Sequence, residues 1–477
     1  MTWIFLLIAQ LIIAVILVPY GYASDSATHM LSSCLVSKGL RLYADFLTNH
    51  GPLMITVNSW IYKLIGNCNM LTPRFLLFIM VSAVIWLIAI YGKSMKSSFF
   101  LILMYALLSI SYGTTAFLSE NWMISVALTL FSLINFYKYI PRKLFFILFA
   151  FVELSLFLES PVYIPCGIIV LTYFCIKRQH DKKLLLLMGF LPSILFLLLF
   201  VPLKDYWNVV YAFNWHYYAA ISRWGPYSYW NYFRISIDAV FQIFTTPKFW
   251  TNTGRFMALL ELAIIATWIV IKIWKFSSGK KKLDYYASLI IPLLLFMRPD
   301  SYHMIPFLFF LLAEIIYFLP KKSCSTIILA IIFLLGVRVF ISPDRYYFFK
   351  LYGNTIKYYD SIVTSNTKLG DKILLFTSQP DSFLLTDRMP GSYYWSDITW
   401  ASIIPGALMH IESNITKNNV KLIIIEVPQG TFAGQSAQKH VSPLLHFLDT
   451  NHSYSKTMLP INNALLYIRT SAYGRDN

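Results

Sequence analysis

Long apolar runs separated by short basic loops limit what this chain can fold into more than any other feature. Runs of roughly 17–20 apolar residues recur along positions 1–342, the length that crosses about 30 Å of hydrocarbon. They fall at about 3–18, 73–91, 98–115, 121–139, 144–158, 160–176, 184–203, 255–274, 285–297, 303–319 and 325–341. Composition points the same way: 57% hydrophobic, 17% aromatic and 13% charged, with mean hydropathy +0.60. Soluble domains run at about 45–50% apolar and about 25% charged. The expectation is a polytopic α-helical membrane protein with about eleven transmembrane helices. The first run, Trp3–Val18, has no basic start and no small-residue cleavage site, so it reads as a retained span rather than a signal peptide.

A net charge of +17 would suit nucleic acid if the basic residues formed one patch. Instead they sit in short loops between apolar runs, which a positive-inside bias explains, and no nucleic-acid partner is expected. Lys93/Lys96, Arg142/Lys143, Lys177/Arg178/Lys182/Lys183, Lys272/Lys275/Lys280/Lys281/Lys282 and Lys321/Lys322 occupy every second loop. Threading the spans through them puts the N-terminus in the cytoplasm. The loops 20–72 and 204–253, and everything after 342, then lie outside. The chain divides into a transmembrane part, 1–342, and an external part, 343–477.

The external part changes character, with Gly, Pro and Asn punctuation. Strand-like runs at Lys372–Phe376, Lys421–Val427 and Ala464–Arg469 alternate with helical patterns at Asn354–Thr364 and Ala407–Lys417. This predicts a small soluble α/β domain. In the first external loop, Met30, Leu31, Leu35, Val36 and Leu40 fall at helical spacing between Ser26 and Leu42. That suits an amphipathic interfacial helix, and 52–66 reads as a second one, with a re-entrant helix as the alternative. Cys34 and Cys68 share this loop; their pairing stays open, with inert thiols the default. The aromatic stretch 206–233, with Arg223 and Arg234 in or beside it, suits an interfacial belt or the stacking of sugar faces. No GxGxxG, Walker, HExxH or GxSxG pattern occurs.

Polar residues collect on the external side. Asp25, Glu120 and Glu159 lie near span ends, as do His50, Arg74, Arg298 and His303. A carboxylate can take the proton of an acceptor hydroxyl. Arginine and histidine can hold an anionic leaving group. Together these parts fit group transfer from a phosphate-linked lipid donor. Each residue also has a plainer role open to it: Asp25 as a helix N-cap, Arg298 as a loop charge, His303 as a satisfied histidine, Asp45 as a solvated face residue.

This arrangement resembles the integral-membrane glycosyltransferases of the C superfamily, which use polyprenyl-phosphate sugars. The residues that carry it are Asp25 soon after the first span, Gly39 at the end of the interfacial helix, then Tyr43, Asp45 and His50-Gly51-Pro52. Ser119-Glu120-Asn121 supplies the acidic short loop, and Arg298 to Met304, with His303, the basic lead into a late span. The resemblance implies that Asp25 is the base that activates the acceptor. It implies that His50, Arg298 and His303 contact the donor phosphate, and that Asp45, Glu120, Glu159, Tyr43 and Arg223 shape a sugar or acceptor pocket. It further implies inverting displacement, a bacterial inner membrane, a periplasmic C-terminal domain and a lipid-linked or surface-glycan acceptor, O-antigen glucosylation being one case. The family's acidic pair is here Asp25-Ser26, so one acidic partner is missing; a divalent metal stays open, and the resemblance fixes no cofactor. The competing readings are an O-antigen ligase or polymerase, with arginines in a central external loop, and a lipid or sugar transporter or flippase.

Overall fold

The computed structural model describes residues 2–16, 24–48, 50–112, 118–218, 234, 253–277, 282–296, 303–318, 357–377, 381–395, 401–427, 431–432 and 435–470. The fold is mostly helical with a small sheet. The helical part runs α1 (Thr2–Ile16), α2 (Ser24–Ser37), α3 (Pro52–Ile65), α4 (Leu71–Tyr91), α5 (Met95–Tyr112), α6 (Ser119–Phe136), α7 (Arg142–Leu158), α8 (Ile164–Lys177) and α9 (Lys182–Phe200). A short α10 (Leu203–Tyr206) widens into a π-helix over Trp207–Tyr218. Then come α11 (Thr253–Ser277), α12 (Lys282–Leu294) and α13 (Ile305–Phe318). The expected span at 325–341 lies outside the described residues.

Among the described residues, two stretches are long and apolar enough by themselves to cross a membrane: Leu71–Tyr91 and Gln179–Phe200. Apolar helices at Trp3–Val15, Met95–Ala106, Pro161–Lys177, Leu283–Leu294 and Ile305–Phe318 are shorter. Full spanning length at each of the eleven expected positions is therefore not met among the described residues. α6 and α13 pack against each other and are buried over almost their whole length, the polar Ser125, Thr129 and Ser132 of α6 included, so they form the centre. α1, α9 and α11 lie outside and expose large apolar side chains, among them Phe5, Leu11, Val15, Leu187, Leu198, Leu199, Val270 and Ile273.

The basic loops gather at one end of this body. Tyr317 Oη donates to the Gly92 carbonyl at 2.9 Å, and Lys93 lies over the Tyr139 ring. Arg142 pairs with Asp181 at 2.7 Å, and Lys177 pairs with Asp284. Those contacts tie together the α4–α5, α6–α7 and α8–α9 turns with the ends of α12 and α13.

The C-terminal part holds a helix at 357–366, β1 (Lys372–Phe376), α14 (Asp381–Thr386), β2 (Met389–Pro390), α15 (Ala407–Lys417) and β3 (Leu422–Glu426). After a small hairpin at 431–436 come α16 (Ala437–Thr450), β4 (Tyr454–Met458) and β5 (Ala464–Arg469). The strand order is β2-β1-β3-β5-β4, with β1 parallel to β2 and β3, and β5 antiparallel to β3 and β4. Buried Ile373–Phe376 and Leu422–Ile425 read as continuous apolar runs because helices cover the sheet's centre. The strand and helix expectations here hold to within a residue or so wherever those positions are described. β4 and α16 were not expected.

The segment 20–72 differs from the surface-lying helix read from its apolar spacing. α2 stops at Ser37, short of Leu42, in a Schellman turn: Leu40 N–H donates to the Leu35 carbonyl at 3.1 Å and Gly39 N–H to the Val36 carbonyl at 3.0 Å. Gly39 supplies the left-handed backbone, φ +95°. The polar positions Ser26, Ser32 and Ser33 are as buried as Met30 and Leu31. The reason is that α3 packs on one side of α2 and α14 of the C-terminal part on another. Lys38 pairs with Asp387, Leu47 N–H donates to the Tyr393 carbonyl at 2.9 Å, and Trp395 Nε1 donates to the Leu47 carbonyl at 3.2 Å. Cys34 and Cys68 form a disulfide, so the inert-thiol default is overturned for this pair.

Candidate functional site

At the end of the helical body opposite the basic loops, residues far apart in sequence converge. The crossing that builds this region is between Gly51 and the turn after α7. Gly51 is extended (φ −63°, ψ 152°) and caps α3, whose first residue is Pro52, a position where the missing N–H is harmless. A Cβ on Gly51 would stand 2.5 Å from the Leu158 carbonyl oxygen and closer still to that of Glu159. Only glycine lets the two backbones touch there.

That contact carries the Glu159 carboxyl to the start of α3, where Oε2 accepts from Met54 N–H at 3.2 Å. A carboxyl at a helix N-terminus answers one of the backbone donors that the helix itself leaves unmatched. Its other oxygen, Oε1, is buried with no hydrogen-bond partner. Burial raises the carboxyl to about 8; the Met54 amide lowers it and the nearby Glu120 raises it again. Glu159 therefore holds its proton at neutral pH. Tyr163, in the following 3-10 turn, is buried with its hydroxyl also unpartnered.

Glu120 lies in the first turn of α6 and is buried. Its Oε1 is 3.2 Å from His303 Nε2, just before α13, and its Oε2 accepts from Ser119 Oγ at 3.2 Å. The His50 ring stands 3.8 Å from that of His29, on the buried face of α2. Burial, then the neighbouring His50, holds His29 well below the usual histidine range, so His29 is neutral at pH 7. Tyr43 is fully buried in a left-handed turn (φ +65°), a strained state for a bulky side chain. It is clamped from both sides: its hydroxyl donates to the His50 carbonyl at 2.6 Å, and Tyr393 Oη donates to the Tyr43 carbonyl at 2.9 Å.

The expected site residues thus divide. Glu120 and His303 meet directly; Glu159 lies within electrostatic reach of Glu120; His50 is joined to the region by Tyr43 and by Gly51. Tyr43 holds the loop and is shut off from solvent. Asp45 is not brought here. Its carboxylate is exposed and bound to Arg41, with Nη2 2.9 Å and the Arg41 backbone N–H 2.7 Å away. Arg74 is buried in the first turn of α4. Asp25 occupies the first turn of α2, one helical turn before His29, and its side chain lies outside the described residues. Arg298 and Arg223 lie outside them too.

Several residues escape a reading of sequence alone. His29 carries one signal, its place four residues after Asp25 on the same helix. Tyr163 and Gly51 matter through contacts with residues about a hundred positions away. Glu153 carries no signal: it looks like one polar residue in an apolar run, yet it is buried in α7 beside Gly167 and accepts no hydrogen bond. No group of three or more His, Cys, Asp or Glu suited to a metal occurs among the described residues. The arrangement offers a protonated carboxyl, two imidazoles and a carboxylate–imidazole pair, a set able to hold an anion and move a proton. No family model and no curated protein matches this chain.

Proposed function

We propose that this chain is a polytopic membrane glycosyltransferase. It moves a sugar from a polyprenyl-phosphate donor to a glycan or lipid-linked acceptor at the end where Glu120, Glu159, His50 and His303 converge. The observation that carries the reading is this convergence, opposite to the end where the basic loops gather. A positive-inside bias then puts the basic end in the cytoplasm and the site on the periplasmic face of a bacterial inner membrane. The disulfide between Cys34 and Cys68 lies on the site's side, where an oxidising compartment would keep it. Exposed apolar faces on α1, α9 and α11 exceed what water tolerates and suit lipid. About eleven spans remain the topology proposed, the shorter helices crossing together with their flanking turns.

In the reaction, an acceptor hydroxyl oxygen attacks the anomeric carbon while the bond from that carbon to the phosphate oxygen breaks. The bonding pair leaves with the polyprenyl phosphate, and Asp25 takes the hydroxyl proton. One base and one displacement invert the anomeric centre. His303, beside Glu120, and His50 bind the leaving phosphate, with Arg298 as a third contact. Glu159 accepts from Met54 N–H and fixes the start of α3, and the role of base is assigned to Asp25. Arg223 stays assigned to the acceptor side.

The test is transfer from a radiolabelled polyprenyl-phosphate hexose to envelope glycan, in membranes with equal amounts of wild type, Asp25→Asn and His303→Ala. Transfer by wild type that falls at least a hundredfold in Asp25→Asn supports the reading. Equal transfer in both removes Asp25 from the mechanism.

A second reading, a transporter of lipid-linked glycan coupled to protons, is favoured by Glu153. A buried carboxyl without a partner inside a helical body is a common proton-carrying feature. Loss of glycan export in Glu153→Gln, with no transfer by wild type, would favour it.

A further inference from the structure

A cavity of about 410 Å³ opens at the basic end, between the C-terminal ends of α6, α11 and α13 and the start of α12. Cavities of about 300–1,000 Å³ hold small ligands. α6 runs the whole way from Glu120 to this cavity, and its 18 residues span about 27 Å. The cavity is therefore separate from the region proposed for sugar transfer.

Its depth and its mouth differ in chemistry. Deep in the wall lies Glu314, with no solvent exposure. Its Oε2 is fully engaged, accepting from Trp268 Nε1 and Lys272 Nζ at 2.6 Å each. Its Oε1 has no hydrogen-bond partner. A buried carboxylate oxygen in a polar wall calls for a donor, a hydroxyl or an ammonium, from whatever occupies the cavity. The other acid of the wall, Asp284, is already answered by Lys177 and by Tyr173 Oη at 2.7 Å. At the mouth, Lys138 is exposed and has no ion-pair partner among the described residues. Lys275 lies on the Phe318 ring within the same wall, and Tyr285 and Tyr317 add aromatic faces.

We infer that this cavity binds a phosphorylated polyol, with its hydroxyls on Glu314 and its phosphate at Lys138. The two halves are matched by one ligand: the hydroxyls answer the buried Glu314 Oε1, and the phosphate adds an anion beside the exposed Lys138. Tyrosine faces suit the C–H surface of a sugar or glycerol unit. Two sources offer this chemistry, a soluble sugar phosphate from the cytoplasm and the headgroup of phosphatidylglycerol.

The full-length protein in detergent is titrated with glucose 6-phosphate and with inorganic phosphate. Native mass spectrometry compares phosphatidylglycerol with phosphatidylcholine, which has a phosphate but no hydroxyl donor. Saturable binding of glucose 6-phosphate about tenfold tighter than phosphate assigns the soluble source. Selective retention of phosphatidylglycerol over phosphatidylcholine assigns the lipid. In either case Lys138→Glu, an exposed change that leaves the fold alone, lowers binding about tenfold or more. Absence of both kinds of binding overturns the proposal, as does binding that Lys138→Glu leaves unchanged. These readouts involve no sugar transfer, so their failure and that of the transferase reading are independent.

Discussion

Replacing Gly51 by alanine tests the backbone crossing on which the candidate site stands. The added Cβ would sit 2.5 Å from the Leu158 carbonyl oxygen and closer to that of Glu159. Both obstacles are backbone atoms at the end of α7, so no rotamer change can relieve them. Overpacking of this kind costs about 1–3 kcal/mol. If the crossing opens to make room, the Met54–Glu159 hydrogen bond goes too, adding about 0.5–1.5 kcal/mol. The expected loss is thus about 2–4 kcal/mol, with α3 displaced from the turn after α7. The assay is thermal unfolding of the purified full-length protein beside sugar transfer in membranes. Gly39→Ala is the control: its left-handed backbone is strained by any side chain, but nothing lies within 4 Å of the added atom. That strain alone costs about 1–2 kcal/mol. A second comparison adds Glu159→Gln to each alanine variant. With Gly51→Ala the effects should fall short of additive, because both disturb one contact; with Gly39→Ala they should add. A Gly51→Ala protein as stable and as active as wild type would refute the crossing.

Stability should respond to pH through two buried groups with opposite signs. Native Glu159 keeps its proton to about pH 8, whereas its ordinary value is 4.5, so the native state binds more protons between them. Stability contributed there is full below about pH 4.5 and falls as pH rises toward 8, and Glu159→Gln should flatten that slope in a thermal-unfolding series. His29 is depressed, so its contribution is present above about pH 6.5 and falls away on acidification, which His29→Gln should remove. Cutting the Cys34–Cys68 link, which closes 34 residues, by changing both to serine should cost about 4 kcal/mol of local stability between α2 and α4, read by hydrogen exchange. Tyr393→Phe removes the donor to the Tyr43 carbonyl and should cost about 1 kcal/mol, with faster exchange over 42–48 and weaker transfer.

How much of this could be read from the chain depends on the range of the physics involved. The strands Lys372–Phe376 and Ala464–Arg469 and the helix Ala407–Lys417 are legible to the residue, because local periodicity and capping set their limits. The end of α2 is legible in Gly39, which turns the chain, and not in the apolar pattern, since Leu40 still sits at helical spacing beyond it. Apolar spacing also says which face is buried, not what buries the other one. Ser26, Ser32 and Ser33 look like a wet face until the C-terminal part is placed over them. Asp45 was grouped with the site through a short motif, whereas Arg41, one turn away, holds it at the surface. Glu120 and His303 were recognised singly; that they touch depends on α6 and α13 packing side by side, a contact no local signal encodes.

The clamp on Tyr43 has a consequence for the order in which the protein is built. Tyr393 and Trp395 reach back about 350 residues to hold the 43–47 segment. During synthesis the ribosome delivers that segment early and its holders much later. Until the sheet has folded, nothing from it restrains the loop that carries His50. A growing chain therefore completes its helices long before it can order that loop. Folding of the C-terminal part is the step that closes the clamp, and a chain stopped before Tyr393 leaves the candidate site unassembled.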